Sequence, residues 1–208
     1  MHLHPNNHHE QGKILLQIAR RSIKRALEAD ARTGVKINNL KEGAVEKAAG
    51  WLSELGATFI TLTQNGRLRG CIGSLQAHQS LYENVSDNAV SAALHDTRFP
   101  PLKAAELASI NVEVSLLSAL QPLAFASEEE ALEQLRPGID GVMLEYGVYR
   151  STFLPQVWES LSQPRKFLAQ LKVKAGLYPD FWDDAIQLSR YTVQKWRESD
   201  FSEGSNSG

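Results

Sequence analysis

The chain has 208 residues, with 22 Lys and Arg against 24 Asp and Glu, six His and a single Cys. That near balance lacks the basic footprint of a duplex-binding protein, so no nucleic acid is expected among its partners. One cysteine excludes an intramolecular disulfide framework, no run reaches the roughly 18 apolar residues of a membrane span, and the opening residues lack a signal peptide's apolar core, so a cytoplasmic protein with no membrane contact is expected.

Four of the six histidines fall in the opening MHLHPNNHHE, and residues 1–10 read as a disordered His-rich terminus. From Gln11 to Ala31, Ile14, Leu15, Ile18, Ala19, Ile23, Ala26 and Leu27 recur at helical spacing, with Arg and Lys on an outer face to which solvation is the only role assigned. Ala57 to Gly73 alternates around Asn65-Gly66 and predicts a β-hairpin. A two-residue loop would pair Thr63 with Leu68 and mix polar and apolar side chains on each face. A three-residue loop, Gln64-Asn65-Gly66, pairs Thr61 with Arg69 and Phe59 with Cys71. It puts Ile60, Leu62, Leu68, Gly70 and Ile72 on the core side and Thr61, Thr63, Arg69 and Cys71 on the other, and is the preferred register.

Ser80 with Glu83 forms a capping box for a helix to about His95, ended by DTRFPP, whose two prolines hold Asp96 to Pro101 as a rigid loop. Ile110 to Leu117 alternates as a strand, with Ile110, Val112, Val114 and Leu116 inward and Asn111, Glu113 and Ser115 on the polar face. Ser127 and Glu130 cap a short helix, and Val142 to Leu154 reads as two strands around Tyr146-Gly147. Pro164 opens a helix closed at Gly176, and Ala185 to Trp196 reads as a last strand without a clean period. FSEGSNSG is too polar to order itself, so 199–208 is expected as a tail. The sum is an α+β protein with an antiparallel-rich sheet flanked by helices, and residues 11–198 form one domain.

GATFITL followed by LRGCIGS, ALHDTRFPPL, NVEVSLL, STFLPQVW with KAGL, and LSRYTVQKW resemble, in their order across residues 11–198, the AMMECR domain family, also called AmmeMemoRadiSam system protein A. The resemblance implies a larger and a smaller lobe forming a cleft into which the motif residues point. It implies no settled activity. It suggests a Memo-like protein and a radical S-adenosylmethionine protein as partners.

Cys71 is the candidate nucleophile, because Arg69 two residues away would stabilise a thiolate; the competing reading is a small apolar side chain filling space beside Phe59. His78 and His95 are the histidines available as a base, and spacing fixes neither. Gly70 and Gly73 mark either a close approach of a ligand to the strand or close packing of a helix on the sheet. Asp96 and Arg98 either position a substrate through the guanidinium fork or pair with each other. The resemblance brings Glu113 and Ser115 to Arg69, Cys71 and Thr61, with Glu113 as a salt-bridge partner of Arg69 or a general base. It also places Gln156 beside the cleft as a ligand contact. No metal-ligand spacing occurs outside the first residues, and no cofactor is expected. The functional expectation is a cleft protein, catalytic on one reading, binding a small molecule or peptide-like segment near Cys71; the alternative is a non-catalytic protein–protein adaptor using the LRGCIG surface.

Overall fold

The structure, a computed structural model, describes residues 5–32 and 50–201, so the expectations for residues 1–4 and 202–208 lie outside the described residues. In chain order the first elements are α1 (Pro5–Arg32), β1 (Ala57–Gln64), β2 (Arg67–Gly73), α2 (Leu81–Leu94), β3 (Ile110–Leu117) and β4 (Gln121–Pro122). They are followed by α3 (Glu128–Gln134), β5 (Gly141–Tyr146), β6 (Tyr149–Phe153), α4 (Pro164–Ala175), β7 (Gln187–Tyr191) and β8 (Val193–Arg197). The result is α+β, with two antiparallel four-stranded sheets ordered β2-β1-β3-β8 and β4-β7-β5-β6. The chain divides into two compact units, one holding residues up to Leu116 and from Gln194 onward, the other Leu117–Val193.

In the first unit the predicted stripe of α1 is the buried one, apart from the half-buried Ile14: Leu15, Ile18, Ala19, Ile23 and Leu27 pack with Ile60, Leu62, Val112 and Val114, and Ala26 is fully buried. Each such Leu, Ile or Val contributes about 1.5–3 kcal/mol of burial. The helix also begins earlier than Gln11. Residues 5–10, expected as disordered terminus, extend α1 at its start, and they have aromatic partners to order them. The His8 ring lies 4.7 Å from Trp196 and accepts its indole N–H on Nδ1 at 3.2 Å, and the His9 ring packs tilted against Phe201 with centroids 4.4 Å apart. Phe201 itself closes a 3-10 turn, Glu198–Phe201, so residues 199–201 of the expected tail are ordered.

The hairpin follows neither register considered from sequence. Asn65 and Gly66 form a two-residue turn with φ of 51° and 75°, which matches the twist of antiparallel strands. Gln64 pairs with Arg67 and Thr63 with Leu68, and then the register slips, so that Leu62 faces Gly70, Thr61 faces Cys71 and Ile60 faces Ile72. Arg69 is the extra residue of a bulge. The slip separates apolar from polar side chains, as the three-residue loop would have done by other means, but only from Gly70 onward. Leu68, expected in the core, lies on the turn side of the bulge and is 44 % exposed.

α2 begins with the expected capping box: the Ser80 hydroxyl accepts from the Glu83 N–H, and the Glu83 carboxylate accepts from the Ser80 N–H. β3 keeps its inward Ile110, Val112 and Val114, but the alternation breaks at its end. Ser115 is buried at 5 % exposure, Leu116 is half-buried and Leu117 is buried.

In the second unit, β5–β6 is the expected hairpin, and α4 buries Phe167, Leu168 and Leu171. Trp158 stacks on Phe167 with centroids 3.7 Å apart and donates its indole N–H to the Asp140 carbonyl at 2.7 Å. The predicted last strand is two strands. β7 pairs with β4 and β5, whereas β8 lies beside β3 in the other sheet. At the break the Thr192 N–H turns to the Ser118 hydroxyl, 3.0 Å away. A segment that serves two sheets carries no single period.

Candidate functional site

β2 is an edge strand, so backbone groups along it that face away from β1 need other partners. At Cys71 the loop after α2 supplies them. The Asp96 carboxylate accepts the Cys71 N–H at 2.8 Å, and the Arg98 guanidinium donates to the Cys71 carbonyl at 3.1 Å. The same two side chains bind each other, Arg98 Nε to Asp96 Oδ1 at 2.9 Å and Arg98 Nη2 to Asp96 Oδ2 at 2.6 Å. Asp96 and Arg98 therefore clamp the edge strand as a short substitute strand would. Asp96 is buried, while the Arg98 side chain is 55 % exposed.

The electrostatics follow. The Asp96 carboxyl is held well below the usual carboxylate range, first by its bonds from the Arg98 guanidinium and further by the N–H groups of Cys71 and Arg98, with burial acting the other way. Arg98 is pushed above its ordinary value, mainly by Asp96 and to a smaller degree by the Cys71 sulfur. The cation beside the thiol is thus Arg98, where sequence pointed to Arg69. Arg69, displaced by the bulge, donates Nε and Nη2 to the Glu106 carboxylate at 3.0 and 3.2 Å, and Nη1 to the Pro100 carbonyl at 2.9 Å. It anchors the proline loop, and it lowers the Glu106 carboxyl together with the Lys103 N–H.

Cys71 is half-buried. Its Sγ lies 3.4 Å from the Thr61 hydroxyl directly opposite on β1, so this pair shares a face as expected. Asp96, Arg98 and Thr61 are the residues that bond Cys71 among the described residues. Neither histidine does: His78 bonds the Gln76 side chain at 2.9 Å, and His95 is exposed at the end of α2. Glu113 neither holds Arg69 nor reaches Cys71. With β3 between β1 and β8, it accepts from Arg197 Nε at 2.5 Å.

The glycines serve packing. A Cβ on Gly70 would come within 2.1 Å of the Ala92 carbonyl, so the glycine lets the backbone of α2 rest on the strand; one on Gly73 would meet the Phe59 ring at 2.3 Å. Beside Gly73 a polar network fixes α2 to β1. Asn84 Oδ1 accepts the N–H and hydroxyl of Thr58, both at 2.8 Å, and Asn84 Nδ2 donates to Ser74 at 2.7 Å. Gln156 belongs to the second unit, where it is exposed on the turn Pro155–Glu159. No group of three or more His, Cys, Asp or Glu able to hold a metal occurs among the described residues.

Sequence reasoning missed Glu106 and Arg197. Glu106 carried a signal: Lys103 to Glu106 has capping-box spacing, and the Glu106 carboxylate accepts the Lys103 N–H at 2.9 Å. Arg197 was recoverable by alternation, being the neighbour of a buried Trp196.

Fold and site together define an α+β protein with a clamped, half-buried cysteine on the edge strand of an antiparallel sheet. The sequence model of the AMMECR1 family matches residues 16–196, and the chain belongs to that family. A protein of Methanothermobacter thermautotrophicus is 34 % identical over 195 residues, covering 91 % of this chain and 95 % of its own. One from Sulfolobus acidocaldarius is 34 % identical over 198 residues, covering 90 % of this chain and 81 % of its own. The crystal structure of an uncharacterised protein from Pyrococcus horikoshii is similar with a TM-score of 0.73 at 33 % identity, covering 91 % of this chain and 92 % of that one. No described helix is long and apolar enough to cross a membrane.

Proposed function

We propose that the first unit binds a small molecule or a peptide-like segment on the face of its sheet that carries Cys71. The observation that supports this most is the clamp: Asp96 and Arg98 fix the backbone of Cys71 and leave its thiol half-buried beside the Thr61 hydroxyl and the exposed Arg98 guanidinium. Such an arrangement offers a hydroxyl, a thiol and a cation in fixed positions, a set suited to a ligand bearing a carboxylate, phosphate or peptide carbonyl. Binding is favoured over catalysis, since the partners of Cys71 include no histidine and Glu113 is committed to Arg197. The association with a Memo-like and a radical S-adenosylmethionine protein rests on the family resemblance, and co-elution of the purified proteins tests it.

The binding reading is tested by protection. Small carboxylates, phosphates and short peptides are screened for slowing of Cys71 alkylation by iodoacetamide. A ligand of this face slows the reaction in the wild type and loses that effect in Arg98→Glu. If no compound protects Cys71, or protection survives in Arg98→Glu, the reading fails. The adaptor alternative draws support from exposed Leu68 beside exposed Arg67 at the hairpin turn. Leu68→Asp should abolish capture of a protein partner on that reading and leave small-molecule protection intact.

A further inference from the structure

The first unit also contains a hollow of about 530 Å³ between α1 and the turn Glu198–Phe201, a volume in the range of small-molecule sites. Lys13, Gln17 and Arg20 line it from one stripe of α1, with Arg21 beside them; Leu16 lies in the same wall, and Phe201 comes from the turn. The spacing of four and three residues puts these side chains on one face of the helix.

The charges are unequally committed. Glu198 is the carboxylate of the lining, and both its oxygens are occupied: Oε1 accepts from Arg20 Nε at 2.7 Å, and Oε2 accepts from Arg20 Nη2 and from the Val112 N–H, the latter at 2.9 Å. Arg20 further donates to the carbonyls of Leu107 at 2.6 Å and Ile110 at 2.9 Å. This neutral pair pins the turn to α1 and β3. Lys13 is exposed and makes no ion pair or hydrogen bond among the described residues. With Arg20 and Glu198 bound to each other, Lys13 sets a positive charge in the lining beside the partly buried Phe201, and Leu16, 4 % exposed, closes the floor of the hollow.

We propose that this hollow binds a small organic anion with an apolar body, of the class of medium-chain carboxylates. The head group sits at Lys13 and Gln17, and the chain lies against Leu16 and Phe201. The binding is independent of Cys71, and it gives the outer face of α1 a role beyond solvation.

Titration calorimetry of the full chain with octanoate, octan-1-ol and octylamine tests it. Octanoate should bind saturably at one site with Kd below about 1 mM, and octylamine should not bind. Lys13→Glu should weaken octanoate binding at least about tenfold by reversing the charge at the head group. Gln17→Trp, filling the mouth from an exposed helix position, should abolish binding while leaving the thermal midpoint unchanged. Absence of saturable octanoate binding, equal binding of octanoate and octylamine, or wild-type affinity in both variants would overturn the proposal.

Discussion

Removing the Asp96 carboxylate leaves the Cys71 N–H of an edge strand without its acceptor and leaves Arg98 without its counter-charge. Asp96→Ala should therefore destabilise the protein by about 2–3 kcal/mol, measured by urea denaturation. The pH dependence has a definite sign. Asp96 is more acidic folded than unfolded, so on acidification the unfolded chain takes up the proton first. The stabilisation is complete above about pH 5 and is lost as pH falls through the unfolded value toward the folded one, so the gap in thermal midpoint between wild type and Asp96→Asn should narrow from about pH 5 to about pH 3. A gap that does not change over that range would show that the carboxylate charge is not what holds the clamp. At this scale the sequence was legible in kind. Asp96 and Arg98 stood on a loop held by prolines, and mutual pairing was one of their two weighed uses. What it did not reveal was their target, because contact with Cys71 depends on how the chain returns from α2.

The hairpin shows why an element can be foreseen while its register is not. Alternation and Asn-Gly located both strands and the turn, but a bulge at Arg69 is set by the meeting of a two-residue turn with the demand that Leu62, Gly70 and Ile72 face the core. Local pattern sees each demand and not their compromise. The bulge sends Arg69 to Glu106, and it lets Gly70 sit under the Ala92 carbonyl. Gly70→Ala must displace the backbone of α2, since its Cβ would lie 2.1 Å from that oxygen, and a loss of about 2–3 kcal/mol or more is expected in denaturant titration. Gly66→Ala meets no neighbour but must adopt φ of 75°, so a loss nearer 1 kcal/mol is expected. Equal costs at the two sites would show that close packing of α2 on β2 does not set the requirement at Gly70.

Two cores and two sheets give each unit its own cooperative material. The second unit is continuous in sequence, from Leu117 to Val193, and contains all four strands of its sheet and a cluster built on Trp158, Phe167, Leu168 and Leu171. Expressed alone, this segment should fold, showing a cooperative thermal transition that Phe167→Ala weakens by about 3–5 kcal/mol. The sequence suggested one domain, because no Gly-, Ser- or Pro-rich linker divides it, and the family resemblance implied two lobes within that domain. The division runs instead between adjacent strand residues, Leu116 with Leu117 and Val193 with Gln194, where composition does not change. The helices, the α+β class and the family were all readable, since periodicity, caps and motifs are local.

Cys71, held by the Asp96–Arg98 clamp with its thiol open to reagents and with Arg98, not Arg69, as the neighbouring cation, is the central feature of the site. The direct measurement is the rate of iodoacetamide alkylation at fixed pH for the folded wild type, Arg98→Ala and Arg69→Ala. The wild type should react without unfolding, and Arg98→Ala should change the rate by about threefold or more while Arg69→Ala leaves it near the wild-type value. A cysteine that reacts only in denaturant, or a rate governed by Arg69 and indifferent to Arg98, would contradict it.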